Sequence, residues 1–182
     1  MTNTEIKPNL LVAKCQHVSL EVSNVDISLN FYREFLGMKL TERHPPGENK
    51  NIPFEMAFLR FSDRHHDLVL TNDPNRVYSK KLDTVSPAGI HHFAFECPSN
   101  ESFVMYLERA RKLNIEIVRG PVVHSSFDED GDGTWGENES FYILDPDNHR
   151  IEIFCKMASI SKSGEYVNSA GVKVPNCLAE EV

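Results

Sequence analysis

Apolar and polar residues alternate along Gln16-His-Val-Ser-Leu-Glu-Val22: Val18, Leu20 and Val22 fall on one side, His17, Ser19 and Glu21 on the other. A period of two marks a strand with one buried face. The spacing then changes. Leu29, Tyr32, Phe35 and Leu36 recur at helical intervals, which predicts a helix over 25–36, capped by Asn24 and stopped by Gly37. Residues 38–43 return to a strand, and 44–53 form a loop containing Pro45-Pro46-Gly47. Residues 54–61 and 67–71 read as a hairpin whose turn holds His65 and His66, both expected to be exposed. A polar stretch, 72–88, leads onward.

The order then recurs. In 90–97, Phe93, Phe95 and Cys97 alternate with His92, Ala94 and Glu96; 100–113 is amphipathic through Phe103, Leu107, Ala110 and Leu113; 115–118 reads as a strand. After a long loop, 140–154 reads as a second hairpin about Asp145-Pro146-Asp147-Asn148. Laid on the first copy, His92 falls on His17, Phe93 on Val18, Phe95 on Leu20 and Glu96 on Glu21. The hairpins, aligned without gaps, set Phe141 on Phe58, His149 on His66 and Glu152 on Val69. The fold class expected is therefore α+β: two tandem βαβββ modules, 15–73 and 89–156, in one domain over 15–156. Residues 1–14 make an N-terminal arm. The tail, 157–182, shows no strong pattern and is expected to pack on a second subunit or to lack order.

Glu152 stands in mid-strand between Ile151 and Ile153. A carboxylate there either faces water from a half-exposed strand or needs a partner, because an unpaired buried charge is costly. A metal ion is one such partner. His17 and His92 share a strand phase, whereas His91 has the opposite one. Two imidazoles and one carboxylate on three strands suit a 2-His-1-carboxylate face with open positions, the arrangement that serves Fe(II).

His17-Val-Ser-Leu-Glu-Val22, Asn30-Phe-Tyr-Arg-Glu-Phe-Leu-Gly37, His92-Phe-Ala-Phe95 and Phe141-Tyr-Ile-Leu-Asp-Pro-Asp-Asn-His-Arg-Ile-Glu152 together resemble the vicinal oxygen chelate (glyoxalase and bleomycin-resistance) superfamily over about residues 15–156. The resemblance implies a cupped mixed sheet that holds a divalent metal. Ser-Phe-Tyr before Asp-Pro, with Glu ten residues after Tyr, is most similar to the type I extradiol ring-cleavage dioxygenases. It implies His17, His92 and Glu152 as ligands of Fe(II), with Mn(II) or another divalent metal as a substitute, and Tyr142 as the group that hydrogen-bonds the substrate hydroxyl. Glyoxalase I and its relatives usually carry a fourth ligand where Val69 stands, which favours the oxygen-activating branch. The chain departs from the pattern in two places. Asn148 replaces a glycine, and no histidine occurs from Asn72 to Ile90, where an acid/base histidine is expected. A second active-site histidine usually precedes the tyrosine by about ten residues, and His124 fills that place only if the loop after it folds back; otherwise it is an ordinary loop histidine.

The activity implied is cleavage of a small catechol-like aromatic diol by O2. The alternatives are a glyoxalase-type metal-dependent lyase or isomerase, and a non-catalytic protein that sequesters a flat ligand. A homo-oligomer is expected. Net charge modifies the picture: 27 acidic against 19 basic side chains leave −8, which argues against nucleic acid or an anionic membrane as partner. No run approaches the roughly 18 apolar residues of a spanning helix, and 1–10 lack a signal-peptide core. The 4 cysteines are widely spaced and form no Cys-x-x-Cys pair, as expected of a reduced, cytoplasmic protein. Residues 128–139 match the spacing of a calcium-binding EF-hand loop, but strand-like rather than helical sequence flanks them. They read instead as an acidic loop at the mouth of the site, with Phe127 and Trp135 in reach of substrate.

Overall fold

Backbone pairing, rather than sequence overlay, settles how the repeat is built. In the computed structural model, residues 15–48, 50–78, 89–125, 128–132, 137–161 and 165–174 are described. They belong to two compact units: the described parts of Met1–Leu29 with Gly37–Val77, and those of Asn30–Leu36 with Tyr78–Val182. The elements are β1 (Val18–Glu21), α1 (Val25–Leu36), β2 (Lys39–His44), β3 (Glu55–Arg60) and β4 (Leu68–Asn72), then β5 (Phe93–Glu96), α2 (Asn100–Lys112), β6 (Ile117–His124), β7 (Asn138–Leu144) and β8 (Arg150–Cys155). Three two-residue strands follow: β9 (Ser159–Ile160), β10 (Tyr166–Val167) and β11 (Lys173–Val174).

In the first unit the sheet runs β1-β4-β3-β2, with β1 parallel to β4 and the rest antiparallel. Leu20, Ala57, Leu59, Leu68 and Leu70 are each at most 4% exposed and form its core. Asn24 caps α1 by accepting from Ile27 N at 3.0 Å, and Gly37 ends it at φ 71, a left-handed conformation that costs glycine little. In the second unit the sheet runs β5-β8-β7-β6 with the same pairing pattern. α2, capped by Ser99, lies on β8, and its Phe103 ring meets Phe141 at 5.4 Å. Tyr106 and Arg109 of α2 donate to the Leu36 and Phe35 carbonyls, satisfying acceptors that the end of α1 leaves open.

The two sheets repeat each other in register. Val18 pairs with Leu68 and Ser19 with Val69; Phe93 pairs with Ile151 and Ala94 with Glu152. Val69 and Glu152 are therefore counterparts, as are His17 and His92, each one residue before its strand pair begins. The ungapped overlay errs on the first arm of the hairpin. Phe58 faces Val69, and Tyr142 faces Glu152, so Tyr142 and not Phe141 is the counterpart of Phe58. The first hairpin has one more residue between those partners, which moves one arm by one position.

Other boundaries differ from expectation for local reasons. β6 does not stop at 118 but reaches His124. Shifts in its pairing with β7 carry the strand through Gly120, whose φ is 92. A Cβ at Gly120 would lie 2.7 Å from the Ser140 carbonyl oxygen, so only glycine permits this approach. The tail is not patternless: β9, β10 and β11 form a small antiparallel sheet. Asn148 adopts φ 69, so asparagine serves the turn where the family pattern has glycine. Residues 128–132 lie between two strands and not between helices, which removes the EF-hand context. The arm 1–14, the residues Phe127 and Trp135, and the tail beyond 174 fall outside the described residues. Among the described residues, no helix is long and apolar enough to cross a membrane.

Candidate metal centre and active site

β7 and β8 are the central strands of the second sheet, and their alternation divides one face from the other. Phe141 and Ile153 turn toward α2; Tyr142 and Glu152, directly paired, turn to the opposite face. That places a carboxylate 6% exposed in a strand whose neighbours Ile151 and Ile153 are fully buried. It is not left unpaired. Tyr142 donates its hydroxyl hydrogen to Glu152 Oε1 at 3.0 Å, and His92 Nε2 lies 3.1 Å from Glu152 Oε2. His91 is exposed and lies against His92, with Nδ1 2.7 Å from Nδ1 and the ring centroids 5.0 Å apart.

His124, at the end of β6, is buried, and its Nε2 lies 3.0 Å from the Tyr142 hydroxyl. The loop after it folds back: Asp132 N donates to the Val123 carbonyl, and Asp132 Oδ2 lies 2.9 Å from His124 Nδ1. The result is a hydrogen-bonded series, Glu152–Tyr142–His124–Asp132, with His92 in contact with its carboxylate end. Tyr142 gives its single hydrogen to Glu152, and its oxygen faces His124 Nε2. Arg119 donates to the same Asp132 oxygen at 2.9 Å and stands 5.9 Å from the Tyr142 ring centroid. Arg150 stands closer, at 4.5 Å. Burial pushes the Tyr142 phenol up, and the Glu152 hydrogen bond and charge add to the shift, which keeps the phenol a hydrogen-bond donor.

Donor spacing is the test of metal fit. Two ligands each about 2.1 Å from an ion, at about a right angle, lie about 3 Å apart; His92 Nε2 and Glu152 Oε2, at 3.1 Å, meet that requirement. His17 belongs to the first unit. It is exposed, its Nδ1 pairs with Gln16 Oε1, and its ring lies 4.5 Å from that of His66. Among the described residues, no three or more His, Cys, Asp or Glu side chains are gathered to hold a metal ion; the pair in place is His92 with Glu152. Val69 is 2% exposed against Phe58 and offers no donor. The buried thiols are not candidates either, since burial pushes Cys97 up to about 11 and Cys155 up as well.

Four of the five residues expected from sequence thus meet on one face of one sheet, and the fifth lies in the other unit. Sequence reasoning missed Asp132, Arg119 and Arg150. Asp132 sits in a run of acidic residues that gives no sign of which one turns inward. Arg150 does carry a signal: it precedes Glu152 by two residues and so shares its strand phase.

The chain is similar to known proteins to differing degrees. A lactoylglutathione lyase of Neisseria meningitidis serogroup A is 29% identical over 151 residues, spanning 82% of this chain and 91% of that protein. An iron-dependent extradiol dioxygenase of Rhodococcus jostii is 28% identical over 148 residues, spanning 77% of this chain and 42% of that protein. Among solved structures, a glyoxylase/bleomycin resistance protein/dioxygenase domain from a Frankia species has the same fold, with a TM-score of 0.59 at 21% identity over 79% of this chain and 98% of that one. The profile of one family matches residues 14–153, which take in both βαβββ modules and the carboxylate-centred face of the second: the chain belongs to the Glyoxalase/Bleomycin resistance protein/Dioxygenase superfamily.

Proposed function

We propose that the chain is an Fe(II)-dependent extradiol dioxygenase that cleaves a small catechol-like diol with O2. The observation that carries this reading is the Tyr142 hydroxyl, which bridges Glu152 and His124 at 3.0 Å each on the face that also holds His92. His92 and Glu152 would hold the metal, with His17 as third ligand and Mn(II) as a possible substitute. The ion supplies oxygen activation and polarisation of the diol. The protein supplies the rest. Tyr142 orients a diol oxygen by hydrogen bonding, and its donor gains value as negative charge develops there. His124, with Nε2 3.0 Å from the Tyr142 hydroxyl, can exchange a proton with a diol oxygen held there. Asp132 holds His124 in the orientation that points Nε2 at the site.

The lyase reading has its own support, since a lactoylglutathione lyase matches over nearly its whole length. Against it stands Val69, apolar at the place of the fourth ligand. Anaerobic purification, metal analysis and an oxygen electrode separate the two. The dioxygenase reading expects one divalent metal per chain and oxygen uptake equal to the diol consumed. Turnover of a substrate without oxygen uptake would overturn it in favour of the lyase.

A further inference from the structure

Arg150 brings a full positive charge to the site. Among the described residues it has no ion-pair partner, and it does not figure in any of the salt bridges that engage its neighbours. Its residue two positions on is Glu152, so both side chains leave the same face of β8. The guanidinium carbon lies 4.5 Å from the Tyr142 ring centroid, and Nε is buried without a hydrogen-bond partner. Arg119, the other cation near that ring, is committed to Asp132 at 2.9 Å. A second unsatisfied atom belongs to the same face. Asn138, four residues before Tyr142 on β7 and paired in register with His124, has a buried Oδ1 with no partner.

Buried polar atoms without partners are uncommon, and each is costly until something satisfies it. The chemistry of that something can be read from the groups. A guanidinium stacked on an aromatic face spends its π surface and keeps its in-plane N–H donors, which match a planar, bidentate anion. Phosphate and carboxylate both satisfy the charge, but a carboxylate attached to a flat ring lies in the ring plane and suits the edge of a stacked guanidinium. The net charge of −8 repels anions at long range, so attraction here must be local.

We infer that Arg150, stacked on Tyr142, recognises a carboxylate borne by the substrate, which makes the substrate an anionic aromatic diol and not plain catechol. The diol half of this statement rests on the dioxygenase reading; the carboxylate half rests on Arg150 itself. Asn138 Oδ1 supplies an acceptor on the same face for a hydroxyl of the ligand.

Anaerobic calorimetric titration of the metal-loaded protein with 3,4-dihydroxybenzoate and with 4-methylcatechol tests it. The carboxylate is expected to bind at least about tenfold more tightly. In Arg150→Gln the preference should shrink to within about threefold, and Arg150→Lys, which keeps the charge but not the planar fork, should fall between. Equal affinity of the wild-type chain for the two ligands overturns the inference, as does a preference that survives Arg150→Gln. If Arg150→Gln does not fold, an undiminished preference in Arg150→Lys overturns it and a reduced one supports it. Benzoate, which has no diol, separates the anion site from the ring-cleavage reading. Benzoate binding retained in Glu152→Ala and lost in Arg150→Gln assigns the anion to Arg150 even if no diol is cleaved. Benzoate binding equally well to the wild-type chain and to Arg150→Gln rejects the assignment.

Discussion

Phe58 faces Val69 across β3 and β4 as Tyr142 faces Glu152 across β7 and β8. The strand order, pairing directions and position within the sheet are the same in both units. What differs is two side chains: a ring without its hydroxyl, and a branched alkyl group in place of a carboxylate. Around Phe58 stand the rings of His44, His65 and His66 at 6.1, 5.4 and 5.1 Å, with an open apolar cavity of 420 Å³ lined also by Ile52 and Met56. Around Tyr142 stand a carboxylate, two imidazoles and two guanidinium groups. The fold thus tolerates either chemistry at its centre, provided each buried polar group brings its partners with it.

Swapping the central residues is the direct way to break the comparison. Glu152→Val gives the second sheet the centre of the first. Metal affinity should fall by about a hundredfold or more, beyond what loss of an outer-shell partner costs, and oxygen uptake should vanish with it. Full metal content in the anaerobically purified variant would remove Glu152 from the ligand set. The reciprocal change, Val69→Glu, puts a carboxylate in the first unit opposite Phe58, a ring with no hydroxyl to hold it. A loss of about 3 kcal/mol in urea denaturation at pH 7 is expected. Burial raises the pKa of such a group above its unfolded value, so the penalty should shrink as pH falls. No change in stability would mean that Val69 lies in a wetter place than its 2% exposure indicates.

Tyr142→Phe sharpens the contrast without replacing any of the proposed metal ligands. It deletes only the hydroxyl that Phe58 lacks. Turnover should drop ten- to a hundredfold, about 2 kcal/mol at the barrier, with KM changed less and metal content intact. Unaltered turnover of a cleaved diol would take Tyr142 out of the chemistry.

The smallest effect concerns the two turn histidines, which occupy matching positions before β4 and β8. Burial and the charges of His17 and His65 lower the pKa of His66. For His149 burial also opposes the charged ring, but the hydrogen bond and charge of Asp145 at 2.8 Å outweigh it, and the pKa rises above the ordinary 6.5. A raised folded-state pKa contributes stability that is present below the unfolded value and is lost as pH rises through the folded one. His149→Gln should therefore cost about 1 kcal/mol near pH 5.5 and progressively less in mildly alkaline buffer. Paired denaturation curves at the two pH values check this, and a loss independent of pH would rule out the charge.

Elements with strong periodicity were legible in the chain. α1 begins and ends where its apolar spacing, Asn24 and Gly37 say it should, because propensity, capping and burial agree there. The pairing of Tyr142 with Glu152 was legible too, since an even separation across a tight turn allows it. β6 was not, because Gly120-Pro121 reads as a break unless one knows that the Ser140 backbone approaches it. That error hid the position of His124, which lies on a strand end and not in a loop. Asp132 was beyond sequence reasoning for a different reason. Its role depends on a backbone hydrogen bond to Val123, and no local pattern encodes a loop that folds back. The tail strands are two residues each, too short for any alternation to register.

Asp145 has a consequence for exchange with solvent. Its side chain is fully buried and accepts from the backbone nitrogens of Asp147 and His149, from His149 Nδ1 and from the Tyr32 hydroxyl on α1. Its own nitrogen donates to the His149 carbonyl. Tips of hairpins ordinarily exchange their amide hydrogens within seconds, since they open without disturbing the rest. Here an opened tip would strand a buried carboxylate and release a helix side chain. The amides of Asp145, Asp147 and His149 should thus exchange as slowly as those of the strands they join, and deuterium should enter this turn only when the second unit unfolds.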